Sequence, residues 1–220
     1  MDMAITGTQV ADHIEDDGEE QRAAPRFTLL IRAAKLSCRS GEFVCIIRDV
    51  SESGVSVRLF HALPADDHFE LQMPAGAVYG LTRVWERGLE AGFRFDSPVA
   101  VESLINEASA YPKRGLRLAL TFPAVVCTLT QRCAATVRNL SQQGAMIDCE
   151  GLFAIDQSLR FEAAEIAPCL KGIRAKVRWR RGTHYGLVFD DTFTLKDFAL
   201  LAGRLQVAEL VPSEEPATRA

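Results

Sequence analysis

Two arginines four residues apart, Arg22 and Arg26, precede the segment Asp49-Val-Ser51-Glu-Ser-Gly54, and these residues are the ones best equipped for chemistry. An arginine presents a planar fork of donors that fits two phosphate oxygens or the O6 and N7 acceptors of guanine. Its flat face also stacks on a base. An ionised Asp49 accepts hydrogen bonds, such as those from the N–H donors of a guanine edge, while the Ser51 hydroxyl donates or accepts. Residues two apart on an extended chain point to one side, so Asp49 and Ser51 are expected to share a face. Gly54 is expected to permit positive φ and a close approach of ligand to backbone. Such a set suits a small ligand carrying guanine and phosphate. Its plainer role, an Asx-type turn between strands, is compatible with the first.

The pattern recurs. Lys113, Arg114 and Arg117 precede Asn139-Leu-Ser141-Gln-Gln-Gly144, which lies 90 positions after the first turn. Arginine pairs alone carry little weight: with 20 arginines in 220 residues, roughly two Arg-x-x-x-Arg matches arise by chance. Arg83/Arg87 and Arg174/Arg178 fit as well. The turn is sharper, since composition yields about 0.05 matches to Asp/Asn-x-Ser-x-x-Gly and the chain has two. Lys113 breaks the pattern, because an ammonium is a point charge with neither fork nor stacking face.

Other landmarks repeat too. Trp85, Gly88, Gly92, Phe95 and Asp96 return 94 positions later as Trp179, Gly182, Gly186, Phe189 and Asp190, which marks a tandem duplication. In the first copy, strands are expected over 27–36, 42–50, 55–59, 68–73, 78–86 and 89–95, with turns at Ser40-Gly41, Ser53-Gly54 and Arg87-Gly88. Val55, Val57 and Leu59 should lie on one face, Ser56 and Arg58 on the other. Pro98 suits a first helical turn, and Val101, Leu104, Ile105 and Ala108 form one apolar stripe, ended at Tyr111-Pro112. The second copy alternates over 118–122, continues at 132–139 and 144–149, and closes with a helix near 194–207 bearing Phe198, Leu201, Ala202 and Leu205. Antiparallel strands joined by short turns, without βαβ spacing, favour small closed barrels. The expected fold is mainly β: two tandem six-stranded antiparallel barrels, each followed by a C-terminal α-helix. The expected divisions are an acidic disordered leader over 1–21, modules over 22–112 and 113–210, and a frayed tail over 211–220.

The net charge of −4 hides an uneven distribution. The leader holds seven acids and no Lys or Arg, so residues 22–210 are near +4, a balance that permits an anionic partner. Arg174, Lys176, Arg178 and Arg180 alternate with Ile173, Ala175, Val177 and Trp179, which predicts a strand with one basic face, solvated or docking an acidic partner. Trp85 and Trp179 are expected to serve packing. The six cysteines (38, 45, 127, 133, 149 and 169) show no metal-ligand spacing and read as reduced, mostly buried thiols. No nucleophile elbow, P-loop or HExxH is present, and the four histidines have no metal spacing, so neither catalysis nor a metal is expected. No apolar run approaches the roughly 20 residues of a membrane span. The absence of a basic-then-apolar N-terminus implies a soluble, cytoplasmic protein.

Arg22-x-x-x-Arg26 with Asp49-x-Ser51-x-x-Gly54 resembles the signature of PilZ domains, bacterial receptors for cyclic di-GMP. The resemblance covers nearly all of residues 22–210 as two copies, and a six-stranded barrel with a trailing helix is also the PilZ architecture. It implies a non-enzymatic receptor in which Arg22 and Arg26 clamp guanines and phosphates while Asp49, Ser51 and Gly54 supply barrel-side contacts. It implies a second site at Lys113, Arg114, Arg117, Asn139, Ser141 and Gly144. No cofactor beyond the ligand is implied, and a downstream protein partner is expected. The alternative is a PilZ-fold interaction module that binds protein and no nucleotide. A nucleic-acid-binding barrel ranks last, since the aromatic pattern of an RNA-recognition motif is absent.

Overall fold

The computed structural model describes residues 27–105 and 115–211. Arg22, Arg26, Lys113, Arg114, Ala108, the leader and most of the tail lie outside that range.

The first copy closes into a barrel in the order β1 (Phe27–Cys38), β2 (Gly41–Val50), β3 (Gly54–Arg58), β6 (Glu90–Phe95), β5 (Val78–Arg87) and β4 (His68–Gln72), with β4 returning to β1. Every pairing is antiparallel. Strict alternation drives it: Val55, Val57 and Leu59 are buried while Arg58 is exposed, and Leu36, Ile47, Leu71, Leu81 and Phe93 fill the same interior. The short helix α1 (Val101–Ile105) adds Val101 and Leu104 to that core, and the Leu104 carbonyl accepts a hydrogen bond from Arg32 at 2.8 Å.

The second copy comprises β7 (Arg117–Leu118), β8 (Phe122–Cys127), β9 (Arg132–Ser141), β10 (Gly144–Asp148), β11 (Ser158–Glu162), β12 (Ile173–Arg181) and β13 (His184–Phe189). Strands β8 to β13 form the ring, and β7 extends it along β9. The strand expected over 118–122 is thus split, although Leu118, Leu120 and Phe122 are all buried as the alternation requires. The first barrel has its own register shift between Thr28 and Arg32 at the corresponding place. The change of offset from 90 to 94 falls in the β11–β12 connection, which contains a 3-10 turn at Pro168–Leu170.

Helix α2 (Leu195–Gln206) is capped by Thr194, whose hydroxyl accepts the Asp197 amide at 3.1 Å. Its buried face of Phe198, Leu201 and Ala202 is the expected one, and it also seats against β2 of the first barrel. Gln206 Nε2 donates to the Glu42 carbonyl at 2.6 Å and its Oε1 accepts the Glu42 amide at 2.7 Å. The Glu42 carboxylate takes Lys35 on one oxygen at 2.8 Å and the Ala119 amide on the other at 2.6 Å. Val44 belongs to the second barrel's core. The two barrels therefore meet through a packed, hydrogen-bonded seam.

Two expectations need correction. A β-bulge at Arg178, where Val177 pairs with Leu187 and Trp179 with Gly186, breaks the alternation of β12. Trp179 leaves the Ala175–Val177 face and covers Gly186 on the outside, while Arg180 lies over the Tyr185 ring at 5.5 Å. The thiols also differ among themselves: Cys45 and Cys149 are buried, but Cys169 is exposed. Burial pushes Cys45 up to about 12 and Cys38 up to about 11, so both stay protonated. Among the described residues no helix is long and apolar enough to cross a membrane.

His61 sits at the seam with no exposed surface, edge-on to Phe43 at 5.1 Å and against Gly203 of α2. Its Nδ1 is 2.7 Å from the Ala62 carbonyl, to which the neutral tautomer donates, and Nε2 has no partner among the described residues. Burial lowers its pKa below the ordinary 6.5. The unfolded chain then takes up this proton first as pH falls, so the stability present at neutral pH is lost as pH drops below about 6.5, by up to about 1.4 kcal/mol per pH unit. The melting temperature should fall more steeply between about pH 7.5 and pH 5.5 for the wild type than for His61→Leu. Parallel profiles would show that His61 is protonated without cost.

Candidate functional site

Asp49, Ser51, Gly54 and Ser56 line one open cleft on the first barrel, with Val84, Trp85 and Arg94 opposite, enclosing about 250 Å³. Local register explains the grouping. A bulge at Arg48 lets Asp49 pair with Ser56, and a bulge at Val84 lets Trp85 pair with Gly92. Each bulge turns the following side chain outward onto the same surface. Ser56 Oγ donates to the Asp49 carboxylate at 3.0 Å and accepts the Asp49 amide at 3.2 Å, which fixes the acceptor's direction. The Trp85 indole lies over Gly92, where any Cβ would displace it.

Ser51 lines the cleft but does not depend on it for a partner. It is buried, and its hydroxyl accepts the Gly54 amide at 3.2 Å, so it holds the turn. Gly54 does not use positive φ either. Its Cα faces the neighbouring strand, where an added Cβ would stand 2.6 Å from the Phe93 carbonyl oxygen. Within this turn, then, the half-buried Asp49 is the charged side chain that lines the cleft, on a backbone Ser51 and Gly54 shape.

The second barrel builds the same ledge on different chemistry. Arg117 is the cross-strand partner of Ser141 through β7 and β9, so this lead-in arginine stands directly beside the turn. Arg117, Asn139, Ser141 and Gly144 all line a cleft of about 620 Å³ together with Arg178, Trp179 and Arg181. A volume of that size lies within the roughly 300–1,000 Å³ of small-molecule sites. A bulge at Arg138 precedes Asn139, as Arg48 precedes Asp49. Asn139 Nδ2 donates to the Met146 thioether at 3.7 Å, since Met146 stands where the first barrel has Ser56. The Ser141 hydroxyl donates to the Gly144 carbonyl at 3.1 Å, and Gly144 presses on the Leu187 carbonyl.

Sequence reasoning missed Ser56, Arg94, Arg178 and Arg181 as cleft residues and gave Trp85 and Trp179 only a packing role. The recurring Trp and Gly pairs were a usable signal, since an aromatic above a strand glycine marks an outward face. The four bulges were not legible, because a period-two reading assumes that none exist. Among the described residues no cluster of His, Cys, Asp and Glu is arranged to hold a metal ion.

Comparison with known proteins gives the class. The PilZ domain profile matches residues 20–108 and 113–204, and the chain belongs to the PilZ family as a tandem of two domains. No curated protein matches the sequence. Similar solved structures include PlzA of Borreliella burgdorferi in complex with c-di-GMP, at 13% identity and TM-score 0.33, covering 80% of this chain and 88% of that one. Another is MotI/DgrA, the Bacillus subtilis inhibitor of motility, at 12% identity and TM-score 0.33, covering 83% and 100%. MrkH of K. pneumonia in its apo state follows at 11% identity and TM-score 0.25, covering 76% and 82%.

If contact with the neighbouring strand is why the turn ends in glycine, Gly54→Ala and Gly144→Ala should each destabilise the chain by about 1–3 kcal/mol in urea unfolding. Unchanged midpoints would mean that the strands part without cost.

Proposed function

We propose that this protein is a cyclic di-GMP receptor that acts by binding rather than catalysis. The observation that best supports the reading is the register of Arg117 with Ser141, which brings a signature arginine to the ledge turn in one pair of strands. The first barrel offers a parallel opening, since Thr28 pairs with Asp49 and Phe27 with Val50, immediately after Arg26.

In this reading the Asp49 carboxylate, aimed by Ser56, accepts the N–H donors of a guanine edge. Arg22 and Arg26 come down from the preceding segment, one fork on phosphate and one on guanine. Ligand binding orders that segment over the cleft and changes the surface a downstream protein meets. The second ledge uses Arg117 and Asn139 with Lys113 and Arg114. Asn139 offers both an acceptor and donors where Asp49 offers acceptors only.

Titration calorimetry with cyclic di-GMP, against GTP and cyclic GMP as controls, tests the proposal. The cyclic dinucleotide should bind and the controls should not. Arg26→Ala should cost about tenfold or more in affinity at its site, and Lys113→Ala distinctly less, because the lysine lacks the fork. Equal losses would remove that ranking. No binding, with a protein partner captured equally with and without nucleotide, would favour an interaction module instead.

A further inference from the structure

We infer that the second barrel carries an anion-binding arginine of its own, Arg178, presented by the β12 bulge to the ligand phosphate in place of the fork that Lys113 lacks. The inference rests on the receptor reading above. It adds a binding residue outside the Arg-x-x-x-Arg and Asp/Asn-x-Ser-x-x-Gly elements.

The two barrels bulge at equivalent positions, Val84 in β5 and Arg178 in β12. At both, the extra residue turns the next side chain, Trp85 or Trp179, over a strand glycine beside the ledge. The bulged residue itself stands exposed at the rim of the cleft. In the first barrel that rim position is apolar. In the second it is a guanidinium.

The charge of the two clefts differs accordingly. Among the described residues, Asp49 and Arg94 are the charged ones lining the first, whereas Arg117, Arg178 and Arg181 line the second with no carboxylate. Two neighbouring arginines of β12 are otherwise engaged. Arg174 pairs with Asp191 at 3.3 Å and approaches Asp190 at 3.9 Å, and Arg180 donates to the Gly182 carbonyl at 3.0 Å. Arg178 has no ion-pair partner among the described residues. Three like charges gathered around one concave surface repel one another unless an anion joins them. A phosphate of a cyclic dinucleotide is such an anion, and paired forks from Arg117 and Arg178 can grip it bidentately. Trp179 lines the same cleft, with the Arg181 guanidinium over its ring at 5.9 Å.

The test is calorimetry with cyclic di-GMP on the full chain in an Arg26→Ala background, which weakens the first site and leaves the second to be read. Arg178→Val, the residue the first barrel already tolerates at its bulge, should lower the remaining affinity about tenfold or more. Arg178→Lys should recover only part of it, because the charge returns without the fork. In the otherwise wild-type chain, Val84→Arg should tighten the first site, an independent readout if Arg178→Val proves poorly folded by its melting curve. Unchanged affinity in Arg178→Val overturns the inference and leaves the receptor reading standing. So does loss of all binding in Arg26→Ala alone, which would leave the second barrel empty. A wild-type chain that binds no cyclic di-GMP removes both.

Discussion

A carbonyl oxygen pressed against a glycine Cα governs the arrangement of each barrel. Phe93 meets Gly54 in the first copy and Leu187 meets Gly144 in the second. With no side chain at that point, the ledge hairpin lies close on its neighbour strand, and backbone hydrogen bonds fasten it there. Phe95 donates to the Ser53 carbonyl at 2.9 Å and Val99 to Glu52 at 3.0 Å. Phe189 does the same to Gln143 at 2.8 Å, and Phe193 to Gln142 at 3.0 Å. The ledge is thereby held before any ligand arrives, so binding need not order it and loses less entropy there.

On that shared frame the copies have diverged in complementary ways. The first kept an acceptor, Asp49, with Ser56 to aim it, and a nearly charge-balanced cleft. The second has Asn139 where the first has its carboxylate and Met146 where the first has its aiming serine, with guanidinium groups around a wider cleft. Its helix moved to a second task. α2 seals its own barrel with Phe198 and Ala202 and grips Glu42 of the first through Gln206. The described apolar side chains of the short α1, Val101 and Leu104, pack into its own core. A duplicated module can spend one helix on assembly because the barrel closes without it.

Much of this was legible in the sequence, for physical reasons. Period-two burial located most strands, from Val55–Leu59 to Phe93–Phe95, and the Phe198 stripe located α2 to within a residue at each end. Strand β11 escaped notice although Leu159 and Phe161 alternate with Ser158 and Arg160 and are buried. What alternation cannot disclose is an extra residue. The bulges at Arg48, Val84, Arg138 and Arg178 decide which side chains face the clefts, and each depends on two strands meeting. For the same reason the turn-holding roles of Ser51 and Gly54 show only once the strands meet. Their types admit ligand contact, while their neighbours assign them to the backbone.

The account turns on the lead-in segments meeting the ledges around one ligand. Hydrogen exchange of the full chain, read by mass spectrometry with and without saturating cyclic di-GMP, addresses this directly. Peptides spanning 21–27 and 113–117, and those carrying the two turns, should exchange more slowly with ligand, while β11 on the far side of its barrel stays unchanged. Protection confined to the inter-barrel seam, with both lead-ins unaffected, would contradict it.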